Sequence, residues 1–564
     1  MKLEEFPLII PNIKQIEAKF KKLLSAFHAS ISAQEQKRVI DKIIKLVDEV
    51  SNQFTLISVR YTQDTRVEAY QKAQDAIDEM GPLFQALYNE YQKALVSSPF
   101  RSELEKKLGR FLFDKIEISL KTFDPSIIEE LQKENRLTSQ YSKLLASAQI
   151  LFDGGVYNLS QMGKFADSLD RSIRRRASMA TAKWFADNEE ELANIYSELV
   201  FLRDAMAKKL GFKNYVALGY ARMGRTDYDA DDVASYRHQV YRAVVPLSKK
   251  LVKRQAQRIG IPNPMFYDLS LNFTSGNPSP KGDKEYLVKA AQTMYHEMGE
   301  EIGAFFDMMI DFHLLDLEAR PGKQGGGYMT YFPKYQVPFV FSNFNGTSGD
   351  VDVLTHEIGH AFQGYSSRKI KIPEYRDPTM EEAEIHSMSM EFFAWPWMEK
   401  FFKEDQEKYR YSHLVNAINF LPYGVTVDEF QHYIYENPTA THDERCAKWR
   451  ELEKKYTPYK KYRGFSMYEK GIRWMRQSHI YTTPFYYIDY TLAQVVAFQF
   501  LVMMEEDRKL AWSRYVKLCQ LGGRYPFTEL IKKAKLKNPF KMGTIKRTIK
   551  KMEPILARFD DTRM

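Results

Sequence analysis

A chain of 564 residues is far longer than one compact core requires, so it is expected to fold as more than one lobe. Its 44% hydrophobic and 27% charged residues are those of an ordinary globular chain and speak against disorder, and 27 glycines against 14% aromatics favour a helical protein with large side chains in its core. The 82 basic and 73 acidic side chains leave a net +9, too weak a field over this length to mark a nucleic-acid binder.

Met1 to Lys14 lacks the apolar core of a secretory signal, because Leu8-Ile9-Ile10 is stopped by Pro11. Amphipathic helices follow. From Gln34 to Phe54 the residues Val39, Ile40, Ile43, Ile44, Val47 and Val50 keep the three-four spacing of one helix face. The same spacing predicts helices over Val67 to Val96, Ser126 to Ser147 and Asn188 to Leu210, with Asp124-Pro125 and Gly154-Gly155 as turns. Basic clusters at Arg171 to Arg176, Lys249 to Arg258 and Lys541 to Lys551 read as solvated helix faces. Gly260 to Asp283, rich in Pro, Asn, Gly and Ser, reads as a long surface loop or a substrate-facing insertion. Two short strands are predicted at Gly325 to Phe332 and Pro338 to Phe344, ended by Asn345-Gly346, and helix resumes after Gly349-Asp350. The longest strongly apolar stretch, Val495 to Met504, is about ten residues against the roughly 20 of a membrane span. Two cysteines, Cys446 and Cys519, allow one bridge at most, which fits a reducing compartment. The expectation is a cytoplasmic protein with no membrane and no nucleic-acid partner.

The first helix after the strands contains Thr355-His356-Glu357-Ile358-Gly359-His360. Residues four apart lie one turn above each other, so both imidazoles can reach one ion. Glu357 is offset on the same helix, placed to take a proton from a metal-bound water. A decoy, His296-Glu297-Met298-Gly299-Glu300, has no second imidazole. A catalytic zinc usually keeps three protein ligands and one open position. The next helical segment, Glu381 to Phe393, offers Glu381, Glu384 and His386 as a third ligand.

These segments resemble the thimet oligopeptidase and oligoendopeptidase F family of zinc metallopeptidases, which includes the Pz-peptidases. The family carries His-Glu-x-Gly-His on one helix and, on the next, a Glu with Ser three residues on; Glu384 and Ser387 match that spacing. The resemblance therefore implies one Zn2+ per chain on His356, His360 and Glu384, with Glu357 as general base and Glu391 and Asp352 orienting the histidines. It further implies that His479, Tyr486 and Tyr490, in the block His479 to Gln494, face the metal and hold the oxyanion of amide hydrolysis. The Gly-rich strand at Gly325 to Tyr328 would pair with an extended substrate backbone. The implied fold is mostly α: two helical lobes around a deep substrate channel, with a small β-sheet beside the His-Glu-x-x-His helix. Residues 1–187 would form the N-terminal helical lobe and 188–564 the catalytic region. The implied activity is cleavage of internal bonds in short oligopeptides.

Two other functions compete. A carboxypeptidase of similar helical build also uses His-Glu-x-x-His and a later Glu. A binding scaffold with a structural metal would need a closed, usually cysteine-rich site, and neither cysteine lies near His356 in sequence.

Overall fold

The computed structural model describes residues 1–564 and is built almost wholly from helices, with one two-stranded and one three-stranded sheet. The helix Ala33–Gln63 starts where the Ser32 hydroxyl accepts the Glu35 amide at 3.2 Å, and buries Val39, Ile40, Ile43, Ile44, Val47 and Val50 as their spacing requires. It outruns its predicted end at Phe54 because Leu56, Ile57 and Val59 continue the buried face. The other predicted helices appear as Glu68–Val96, Ile128–Ala146 and Glu189–Lys209.

Two short elements differ from the sequence reading. The expected turn at Gly154-Gly155 lies in a small hairpin, Ile150–Phe152 with Gly155–Tyr157, whose two turn residues are Asp153 and Gly154. A third strand, Leu315–Glu318, lies parallel to Val337–Phe344; its four residues are too few to show a period. In the resulting sheet Val337–Phe344 is central and Tyr328–Phe332 pairs antiparallel with it as an edge strand. The stretch Gly260 to Asp283 is irregular, as predicted, but it is anchored rather than free. Its Asp268 is fully buried and is held by Arg171 and Arg174 at 2.8 and 3.0 Å. Arg254 and Arg258 likewise hold Asp561, so two of the basic clusters supply internal clamps as well as solvated faces.

One hydrophobic core of 111 buried residues runs from Leu3 to Phe559, and a separate core of 21 is built by the N-terminal helices with Ile370 and Tyr375. The helix Tyr487–Glu506 is long and apolar enough to cross a membrane, yet 72% of its apolar window is buried inside the protein. It packs between the helices Met380–Phe393 and Gln406–Glu436, and is a core helix. Gly424 allows that approach, since a Cβ there would fall 2.1 Å from the Thr491 methyl.

The central strand leads directly into the helix Gly349–Ser367. Asp350 ties the connection, its carboxylate accepting the amides of Asn345 at 2.9 Å and Gly346 at 2.8 Å. The end of the long N-terminal helix closes on the same region: the Gln324 amide donates to the Thr62 carbonyl at 2.9 Å, and Thr62 and Tyr328 share a 2.6 Å hydroxyl bond. The glycine-rich turn before the edge strand is thereby fixed between the N-terminal helices and the helix that carries His356.

Candidate metal centre

His356 and His360 project from the helix Gly349–Ser367, and Glu384 from Met380–Phe393, which packs across it. The crossing is close because the first helix has Gly359 between its histidines. The Glu384 Oε2 atom stands 3.2 Å from His356 Nε2 and 3.4 Å from His360 Nε2. Ligand atoms about 2.0–2.2 Å from a small tetrahedral ion stand roughly 3.3–3.6 Å apart, so this donor set fits such an ion. Ser387 Oγ donates to the second-helix carboxylate at 2.9 Å, and Tyr486 Oη donates to its Oε1. Burial alone would favour protonated Glu384, but His360 and His356 hold its carboxyl well below the usual carboxylate range.

Glu391 accepts from His356 Nδ1 at 2.7 Å. A carboxylate only accepts, so Nδ1 carries a proton, and Nε2 is the nitrogen turned towards Glu384. Burial of Glu391 is offset by its bonds from His356 and His413, which keep it below the ordinary carboxylate range. Asp352, the other residue expected to orient a histidine, bonds instead to Tyr409 Oη at 2.5 Å.

Glu357 is buried one residue from His356, and its Oε2 has no hydrogen-bond partner in the protein. Burial raises its carboxyl, against the pull of His356 and His360. Gly327 lies alongside: a Cβ at that position would come 3.4 Å from Glu357 Oε1 and 3.0 Å from Val353 Cγ1. The glycine turn thus leaves a bare backbone beside Glu357.

Across from these groups, His479 Nε2 meets Tyr490 Oη at 3.3 Å, and the rings of Tyr486 and Tyr490 pack 4.8 Å apart. Burial drives His479 down to about 4, leaving it neutral near pH 7. Tyr423 Oη donates to Gln477 Oε1 at 2.8 Å, and Gln477 Nε2 donates to His479 Nδ1 at 2.7 Å, so the free proton of His479 sits on Nε2. Tyr486 follows Phe485, which holds a left-handed φ of 67°. That conformation is imposed by the Gln431 side chain accepting the Phe485 amide at 2.9 Å and by Arg225 donating to its carbonyl at 2.5 Å.

Tyr423, Gln477, Gln431 and Arg225 escape sequence reasoning, since each acts through another residue and carries no motif. The remaining candidates lie elsewhere. His386 faces away from the metal group, its Nδ1 3.4 Å from Cys519 Sγ, and burial drops it to about 3. Glu381 is buried beside Asp489 and Arg225. His296 is exposed and pairs with Asp307 at 2.8 Å.

Two histidines one helical turn apart, a carboxylate from a crossing helix and a buried partnerless glutamate beside them define a helical metallopeptidase. The chain belongs to peptidase family M3: residues 165–548 match the description "Peptidase family M3", and residues 3–123 match "Peptidase M3 N-terminal domain". It is 23% identical to oligopeptidase PepF of Bacillus subtilis, over 93% of this chain and 79% of that one. Against the plasmid-borne oligoendopeptidase F of Lactococcus lactis subsp. cremoris it is 22% identical, over 90% and 87% of the two chains. A solved structure of Pz peptidase A with an inhibitor superposes with a TM-score of 0.98 at 51% identity, covering 100% of both chains. The protein is a metallo-oligopeptidase.

Proposed function

We propose that the protein is a zinc endopeptidase that cleaves internal bonds of short oligopeptides, with His356, His360 and Glu384 holding the ion and Glu357 as general base. The observation that carries this is the 3.2 and 3.4 Å spacing of the three ligand atoms beside the partnerless Glu357 Oε2. Zinc suits two imidazoles and a carboxylate, and when bound it supplies Lewis acidity to the scissile carbonyl and to a water molecule. Glu357 takes the proton of the attacking water on Oε2 and delivers it to the leaving amide nitrogen. His479 Nε2 donates to Tyr490 Oη, which frees the Tyr490 proton for the developing oxyanion. Tyr486 supports catalysis by orienting Glu384.

On this reading residues 1–187 form the N-terminal lobe and 188–564 the catalytic region. The substrate lies extended along the edge strand Tyr328–Phe332, with the glycine turn letting its backbone reach Glu357.

The test is paired: zinc content by mass spectrometry, and cleavage of an internally quenched peptide with a blocked C-terminus, for wild type and Glu357→Ala. Both proteins should hold about one zinc, with the variant losing roughly a hundredfold or more in rate. Absence of zinc from the wild type, or a fully active variant, overturns the reading. Failure to cut the blocked peptide while trimming the free one makes it a carboxypeptidase.

A further inference from the structure

Behind Glu391 lies His413, which the site described above involves only through its bond to that carboxylate. His413 Nε2 stands 2.8 Å from Glu391 Oε2, while Trp395 Nε1 donates to His413 Nδ1 at 3.1 Å. An indole N–H donates and never accepts, so it fixes the whole sequence of protons. His413 Nδ1 must accept, its proton must sit on Nε2, and Glu391 receives it on Oε2. The other oxygen of Glu391 accepts from His356 Nδ1, which turns His356 Nε2 towards Glu384 and the proposed ion. The carboxylates of Glu391 and Asp352 draw His413 towards protonation against the cost of burial, but the indole occupies the nitrogen that a second proton would need.

The ring of His413 has no freedom to turn away. It lies 5.6 Å from Tyr409 in a parallel stack, 5.1 Å edge-on from Phe392 and 5.9 Å from the Trp395 ring. Trp395, Tyr409 and His413 are all buried. A neutral histidine held in one tautomer among aromatic walls is costly to assemble unless that tautomer matters, because the buried groups gain nothing that apolar residues would not supply.

We infer that Trp395 and His413 are positioning residues for the metal: the relay Trp395→His413→Glu391 fixes the tautomer and orientation of His356 and so sets how tightly the ion is held. The inference rests on His356 being a ligand. Outer partners of metal-bound histidines typically change metal affinity by about 10–100-fold when removed.

Zinc dissociation constants measured by chelator competition test it, alongside the thermal midpoint of each metal-free protein. Trp395→Phe keeps the ring and removes the donor, His413→Leu removes the relay, and His413→Gln can still donate through its amide to Glu391. Trp395→Phe and His413→Leu should weaken zinc binding about tenfold at a metal-free midpoint close to wild type, with His413→Gln near wild type. If His413→Leu does not fold, Trp395→Phe and His413→Gln decide by the same contrast. Unchanged affinity in Trp395→Phe, or equal loss in His413→Gln and His413→Leu, overturns the relay while leaving the ligand assignment intact. A wild type that binds no zinc overturns both.

Discussion

Gly359 lies directly against the backbone of His386: a Cβ on Gly359 would stand 2.7 Å from the His386 carbonyl oxygen and 2.7 Å from Ser387 Cα. Both obstructing atoms are main chain, so neither can swing aside. The glycine between the two histidines therefore sets the crossing distance that brings Glu384 up to them. Gly359→Ala should cost about 1–3 kcal/mol in urea unfolding, the range for overpacking a well-filled core. Its zinc affinity should fall as well, because the helices can separate only by withdrawing Glu384. A variant as stable and as tight for zinc as wild type would mean that the crossing is not set here.

The two tyrosines of the far wall have separable tasks. Tyr486 Oη donates to Glu384 and Tyr490 Oη lies against His479 Nε2, so on the proposed mechanism the first orients a ligand and the second serves the oxyanion. Tyr490→Phe should lower kcat about a hundredfold with KM and zinc affinity little changed, as for loss of one oxyanion donor. Tyr486→Phe should weaken zinc binding about tenfold by releasing Glu384. The reverse pattern would exchange the two assignments.

Much of this centre was legible in the sequence because its central parts are local. His356, Glu357 and His360 share one helix, and helical periodicity alone places both imidazoles on one face. Glu384 was one of three candidates by residue chemistry, and the structure brings Glu384 to the histidines because Glu381 and His386 point elsewhere on their helix. The strand Tyr328–Phe332 was visible in its apolar pattern, but not the glycine turn's place beside Glu357, which needs the Gln324–Thr62 contact across 262 positions of chain. Gln477, Gln431, Trp395 and His413 were illegible for the same reason: each acts through one hydrogen bond to a residue distant in sequence or unpatterned beside it. The clamps Arg171–Asp268 and Arg258–Asp561 read as surface charge because their partners lie in irregular segments that no periodicity marks.

Acid should act on stability through His432, which is buried against Tyr220 and pushed down to about 4 by burial, against the pull of Asp428 and with Arg237 and Arg225 adding to the effect. The unfolded chain binds its proton near pH 6.5 and the folded protein only near 4, so folding loses ground as pH falls through that window. Glu381 and Asp489, raised by burial, pull in the opposite sense, so wild type alone will not isolate the histidine. The difference between wild type and His432→Gln does. Between pH 6.5 and 4.5 the metal-free wild type should lose up to about 3 kcal/mol relative to the variant. A pH-independent difference would show that folding leaves the proton affinity of His432 unshifted.

The bare backbone at Gly327 offers the sharpest test of where substrate lies. An alanine methyl there would stand 3.0 Å from Val353 Cγ1 and 3.4 Å from Glu357 Oε1, in the space that the proposed extended substrate would use to reach Glu357. The three atoms nearest such a methyl belong to Val353, Glu357 and Phe341, not to His356, His360 or Glu384. Gly327→Ala should therefore keep zinc affinity and fold stability near wild type while kcat/KM falls about ten- to a hundredfold, the scale of a displacement near 1 Å at the reacting bond. Two causes could produce that loss, and a second substitution separates them. If the methyl acts only by pressing on Val353, Val353→Ala in the Gly327→Ala background removes the pressure and restores turnover. If it acts by obstructing the substrate backbone, turnover stays low and the loss shows in KM for longer peptides that occupy the whole edge strand. Wild-type turnover in Gly327→Ala would remove the glycine turn from the substrate path and leave the strand as a support for the metal helix.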